Sequence, residues 1–375
     1  MVERRKSEEV INFAPGPAKL PLEVLVEAAE QGAFSYKDSG ISVMEMSHRS
    51  TDYLAMSQET VSLLRELLDI PANYHVLFLQ GGGTGQFAAV PLNLSRSSDQ
   101  VADYFVTGLW SKKAAEEAQK YLKVNKVLTH SGQYNSIQEK DHWKLTPGAA
   151  YVYYCANETV HGVEFPWVPE TGDVPLVCDA SSSFLTHKMD ISKYALIFAG
   201  AQKNVGCAGV TIVVVRDDMI GKAQSICPSV WDYKIQADNS STYNTPSVWG
   251  LYIVNLVLKW LKKEGGVEAI EERCATKAQM VYDTIHNSNG FYHLVVEPAF
   301  RSRVNIPFHV YRNGKPVKEL EEKFVKEAEA RNMYELKGHR SVGGLRASLY
   351  NAVSVEEVKT LVEFMKDFMA RNRTE

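Results

Sequence analysis

The chain has 375 residues, 45% of them hydrophobic and 23% charged, the proportions of an ordinary soluble globule with room for one large domain and a smaller one. A formal net charge of −4 excludes the broad basic surface that tracks nucleic-acid phosphates, and no stretch approaches the ~20 apolar residues of a membrane span. Cys155, Cys178, Cys207, Cys227 and Cys274 form no C-x-x-C pair, so neither a disulfide framework nor a bound metal is expected.

The opening MVERRKSEEV mixes charges and lacks the apolar centre of a secretory signal, which makes the cytoplasm the expected compartment. YLAMSQETVSLLRELL (53–68) has helical periodicity, and YHVLFLQ (74–80) reads as a buried strand ending at a glycine run from which a helix starts. ADYFVT (102–107), SKKAAEEAQKYL (111–122), AYVYYCA (150–156), PLVCDA (175–180), ALIFAG (195–200) and GVTIVVVR (209–216) continue as short apolar strands with helical pattern between them. Such alternation predicts a mixed or parallel sheet covered on both faces. QADNSSTYNTP (236–246) is polar and reads as a hinge, followed by helical pattern from about Trp249 to His286. Strand-like YHLVVE (292–297) and VNIPFHVY (304–311), a helix at 318–332, a strand LRASLY (345–350) and a last helix from Val355 make a smaller α+β unit.

Chemistry concentrates where strands end. FLQGGGTGQFAA (78–89) is a strand, a glycine turn and a helix start, where backbone N–H groups and the helix dipole converge on an anion. Gly83, Gly85 and Ala88 satisfy G-x-G-x-x-A, so a dinucleotide site stays open, although Asp99 and Asp103 lie too early for the ribose-binding acid. A tight turn with no ligand is an equally good account of this loop alone.

Lys203 in FAGAQKNVG (198–206) stands where a strand leaves the core; a desolvated lysine has a lowered pKa and a nucleophilic amine, as Schiff-base chemistry requires. For one lysine without partners, a snorkelling side chain is the commoner outcome. Partners exist, however. Asp179 ends PLVCDA, and Trp110 in TGLWSKKA (107–114) begins a helix just after a strand. A glycine loop, an aromatic, an aspartate and a lysine in that order suit a phosphate-bearing aromatic aldehyde such as pyridoxal phosphate.

Eight blocks carry a resemblance: NFAPGPAKLP (12–21), EMSHRS (45–50), FLQGGGTGQFAAVPLNL (78–94), YVYYCANETVHGVEF (151–165), CDASSSF (178–184), IFAGAQKNVGCAGV (197–210), YNTP (243–246) and GHRSVGGLRASLYNA (338–352). By these the chain resembles, end to end, the phosphoserine aminotransferase family within the class V pyridoxal-phosphate-dependent aminotransferases. The resemblance implies fold type I, the aspartate-aminotransferase-like α/β fold. It divides the chain into an arm at 1–20 associated with the small domain, a large cofactor-binding domain at 21–264 and a small C-terminal domain at 265–375.

It further implies that Lys203 bonds the cofactor aldehyde, Asp179 pairs with its pyridine nitrogen, Trp110 stacks on its ring and Thr159 bonds its phenolic oxygen. Gly83, Thr84 and Gln202 would hold the cofactor phosphate, joined by Asn244 and Thr245 of a second subunit, so a homodimer is expected. Many bacterial members carry arginine where this chain has Thr84, which leaves that phosphate without one charged donor. Arg346 is expected to clamp the substrate α-carboxylate, with His339 and Arg340, plus His48 and Arg49 from the other subunit, on the distal anion. The implied reaction transfers the amino group of glutamate to 3-phosphohydroxypyruvate, giving O-phosphoserine and 2-oxoglutarate in serine biosynthesis. Another class V enzyme, such as an alanine–glyoxylate aminotransferase, is the alternative. A cysteine desulfurase is disfavoured because no cysteine follows Cys274.

Overall fold

The computed structural model describes residues 10–128 and 133–373; of the arm expected at 1–20, residues 1–9 therefore lie outside the described residues. Strand β1 (Ile11–Asn12) is followed by helices α1 (Leu22–Gln31) and α2 (Thr51–Leu68), the latter capped by Ser50, whose side chain accepts from Tyr53 N at 3.2 Å. Next come β2 (Tyr74–Leu79), α3 (Gly82–Leu94), β3 (Val101–Phe105), α4 (Leu109–Ala118), β4 (Lys123–Lys126), β5 (Val152–Cys155), β6 (Leu176–Asp179), β7 (Leu196–Gly200) and β8 (Thr211–Arg216).

These strands form one seven-stranded sheet in the order β2-β8-β7-β6-β5-β3-β4. Only β8 runs against its neighbours; the pairs β7·β6, β6·β5, β5·β3 and β3·β4 are parallel. Because alternate side chains of a strand point to opposite faces, Tyr154, Cys178, Ile197 and Val214 enter one core. Tyr153, Val177, Phe198 and Val213 enter another. Helices α1 and α2 cover the first face, while α3 and α4 cover the second. This is the mixed, mostly parallel sheet flanked by helices that the apolar runs predict.

Helix α5 (Tyr233–Asp238) opens the polar stretch read as a hinge, and the segment is in fact fastened to the sheet. Gln236 and Ser241 are buried, and the Ser241 hydroxyl accepts from Phe78 N at 2.9 Å. Gln236 in turn donates to Val230 O at 3.0 Å and to Asn244 Oδ1 at 2.9 Å, so polar composition here reflects internal hydrogen bonds. The passage between the two parts of the molecule occurs further on. Helix α6 (Val248–Lys263) lies in the large core, and after Gly265, at φ 97°, helix α7 (Gly266–His286) runs through both. Val267, Ile270 and Cys274 join the large core; Ala278, Val281 and Ile285 join a smaller one.

The smaller core lies under β9 (Tyr292–His293), β10 (Asn305–Arg312), β11 (Lys315–Pro316) and β13 (Leu345–Ser348), all antiparallel, with α8 (Lys318–Glu329) and α9 (Val355–Asn372) packed on it. The strand expected at 292–297 is only two residues long: Tyr292 and His293 alone pair with β10, and a 3-10 turn follows at Pro298. A short strand β12 (Met333–Tyr334) pairs in parallel with β1, and Phe13 is buried in the smaller core, so the start of the described chain is tied to its C-terminal part.

Candidate active site

Strands β2, β3, β5, β6 and β7 end on the same edge of the sheet, and Gly83, Thr84, Trp110, Thr159, Asp179 and Lys203 lie in or just beyond those ends, where ligands of parallel α/β sheets bind. Lys203 follows β7. Its Nζ donates to Thr159 Oγ1 at 2.7 Å and lies 6.0 Å from the centre of the Trp110 ring. Burial lowers the amine's pKa, against the raising influence of Asp179, Cys155 and Glu158.

Asp179 closes β6 and is buried; its Oδ1 accepts from Ser181 N at 2.9 Å, and its Oδ2 from the Tyr153 hydroxyl at 3.4 Å. Desolvation raises its pKa, while the Ser181 bonds and the Lys203 charge work to keep it ionised. Thr159 and Glu158 follow β5. Thr159 links two cations, for its hydroxyl takes the Lys203 bond and its carbonyl accepts from Arg346 Nη1 at 3.2 Å.

Arg346, on β13, is 5% exposed and has no ion pair among the described residues. Its Nε is buried without a partner, as is Nε1 of Trp110. A guanidinium held that way is costly unless a ligand supplies the missing anion. His339 stands nearby; burial and the charges of Arg346, Arg340 and Lys113 hold its pKa below the ordinary histidine value. Arg340 is exposed beside it.

The glycine loop forms a second anion cradle. Gly81 and Gly82 take φ of 102° and 64° to turn the chain from β2 into α3, so Gly83 and Thr84 present first-turn N–H groups with no acceptor among the described residues. A Cβ on Gly83 would lie 3.5 Å from Ser181 Oγ, which shows how closely the β6 end approaches this helix. Gln202 folds over Gly200, and its carbonyl accepts from Ala18 N at 2.8 Å. A phosphate-bearing, flat, electron-poor ring with a reactive carbonyl fits this set. The α3 N-terminus would take the phosphate, Asp179 a ring N–H, Trp110 a ring face and Lys203 the carbonyl carbon.

Asn244, Thr245, His48 and Arg49 are not brought to this centre within one chain. Asn244 bonds Gln80 and Gln236, and the Thr245 carbonyl accepts from Gln80 Nε2 at 3.0 Å. His48 and Arg49 lie on the turn before α2, where Arg49 N donates to Ser47 Oγ at 3.2 Å.

Three residues at the site escape sequence reasoning. Ser181 joins Asp179 to the β7 end by accepting from Gly200 N at 3.2 Å. His161 accepts from Leu109 N through Nδ1 at 3.3 Å, and burial, with His339 nearby, pushes its pKa down to about 4. Glu158 is fully buried and binds the start of α4; burial raises its pKa, and bonds from Ser111 and Trp110 oppose that shift. All three lie inside the quoted blocks 151–165 and 178–184, yet nothing in their spacing separates them from turn residues. Asp103, too early for a ribose acid, is consumed structurally by Asn125 Nδ2 (2.8 Å) and Thr146 Oγ1 (2.8 Å).

Residues 10–361 match the family model for aminotransferase class V. A probable phosphoserine aminotransferase from Caenorhabditis elegans is 53% identical over 97% of this chain and 98% of its own. Among solved structures, phosphoserine aminotransferase from Bacillus circulans subsp. alkalophilus superimposes with a TM-score of 0.93 at 42% identity, covering 98% of this chain and 100% of that one. The pyridoxal-phosphate-bound phosphoserine aminotransferase from Trichomonas vaginalis gives 0.89 at 40% identity, covering 95% and 99%. With its lysine, aspartate and glycine cradle at one sheet edge, the chain belongs to the class V aminotransferase family.

Proposed function

We propose that this chain is a pyridoxal-phosphate-dependent phosphoserine aminotransferase, which exchanges the amino group of glutamate with the keto group of 3-phosphohydroxypyruvate. The observation that carries this reading is Arg346, a buried guanidinium without an anion, bonded to the same threonine as Lys203. Both substrates are α-carboxylates with a second, distal anion. Arg346 takes the α-carboxylate of each, and its planar fork suits that group. His339 and Arg340 take the distal carboxylate or phosphate together with His48 and Arg49 of the partner subunit.

Pyridoxal phosphate, when bound, supplies an electron-withdrawing ring that accepts the electron pair left as the substrate Cα loses its proton. Gly83, Thr84 and Gln202 would hold its phosphate, with Asn244 and Thr245 of the partner subunit; Asp179 would keep its ring nitrogen protonated, and Trp110 would back the ring. Lys203, with its amine free, would hold and move the substrate Cα proton at Nζ. Thr159 orients that amine. Because each substrate must leave before the next can use Arg346, the kinetics are ping-pong.

A homodimer in the cytoplasm completes the reading. Phe34 and Met44, before His48, and Ile226 and Tyr243, around the segment ending at Thr245, are exposed large apolar side chains that a second copy would cover. The test is a visible spectrum of the purified holoprotein. Added glutamate should shift the cofactor band, and 3-phosphohydroxypyruvate should restore it. A band indifferent to glutamate, or restored by glyoxylate but not by the phosphorylated keto acid, would overturn this assignment.

A further inference from the structure

Helix α4 starts without a cap of its own, since Gly108 has no side chain to offer. Its first N–H groups are instead met from the loop after β5. Trp110 N donates to Glu158 Oε2 at 3.0 Å, Ser111 N to Oε1 at 2.8 Å, and Ser111 Oγ to the same Oε1 at 2.6 Å. The Ser111 hydroxyl also accepts from Thr107 N (2.9 Å) and Gly108 N (3.1 Å), so one carboxylate fixes the whole turn that launches Trp110. Space is closed as well: a Cβ on Gly108 would lie 2.4 Å from the Glu158 carboxyl carbon. A carboxylate at a helix N-terminus with three donors is held rigidly and holds rigidly in return.

We infer that Glu158 is the positioning residue for the Trp110 ring: it binds no ligand itself but sets the height and tilt of the ring against the cofactor, and so the cofactor's affinity. The inference rests on the cofactor assignment above. It follows that adjacent residues 158 and 159 register two walls of one site, Glu158 the aromatic wall and Thr159 the lysine and arginine.

The test is a double-mutant cycle on the full chain, made with Glu158→Gln, an isostere that keeps the volume but has only one acceptor oxygen, and Trp110→Phe. Pyridoxal phosphate dissociation from each protein, its visible band and amide exchange at residues 109–112 are measured. Glu158→Gln should speed exchange at Trp110 and Ser111 and weaken cofactor binding about tenfold, the size of a lost cap. In the Trp110→Phe background it should cost no further cofactor affinity, because the effect travels through the indole. Equal losses in both backgrounds, or unchanged exchange at Trp110 and Ser111, would overturn the inference. A wild-type protein that binds no pyridoxal phosphate would defeat the cofactor assignment instead, while the exchange data would still report on the cap.

Discussion

Lys277 is fully buried and Lys203 half-buried, and the molecule treats the two differently. Lys277, midway along α7 between the two cores, is 1% exposed and donates to three carbonyls: Leu349 (3.0 Å), Tyr350 (2.9 Å) and Val353 (2.8 Å). Lys203 has one hydrogen bond, to a hydroxyl. Burial pulls both amines below the ordinary lysine pKa. Three carbonyl dipoles nevertheless favour the charged form of Lys277, use all its protons and leave no lone pair to react. What distinguishes a reactive lysine from a structural one is therefore how completely the surroundings replace its hydration, since desolvation lowers the pKa of both.

The sharpest way to break this contrast is to remove each amine. Lys203→Ala should lower turnover at least about 10³-fold and abolish the cofactor's visible band, with little change in the unfolding midpoint. A variant still within tenfold of wild type would refute the role of that amine. Arg346→Lys keeps the charge but loses the fork, and kcat/KM for both substrates should fall about 10²-fold. If glutamate use were unaffected, the arginine would not be the α-carboxylate clamp. Lys277→Met strands three buried carbonyls and should cost about 2 kcal/mol in urea unfolding, while turnover per folded molecule stays near wild type. A drop in turnover with stability unchanged would erase the distinction between the two lysines.

The smallest effect concerns pH. His161 has a native pKa of about 4 against an ordinary 6.5. Between those values the unfolded chain binds a proton that the native chain does not, so stability falls as pH drops from about 6.5 toward 4. His161→Gln should flatten that part of the stability profile, as read by denaturant titrations at several pH values. An unaltered slope would place the proton elsewhere.

The strand ends were legible because each apolar run stops at a polar or glycine residue, so Asp179, Lys203 and the α3 start could be placed without coordinates. Their convergence could not, because it depends on the order β2-β8-β7-β6-β5, which no local pattern encodes. Lys277 reads in sequence as an ordinary helix lysine, and only the turn after β13, brought against α7, makes it a buried one. The segment 236–246 misleads for the same reason: Ser241 is polar to serve Phe78, far back along the chain. Glu158 was hidden by its plainness, since an acidic residue after a strand usually faces water.

The pairing of Ile11–Asn12 with Met333–Tyr334 has a consequence for biosynthesis. Past that ribbon the chain passes Lys203 so closely that a Cβ on Gly16 would lie 3.2 Å from the lysine Cγ. During synthesis residues 11 and 12 wait for their partner strand until Met333 and Tyr334 have left the ribosome, and Arg346 emerges later still. A nascent chain stalled before Met333 would hold a finished seven-stranded sheet and an unwalled lysine.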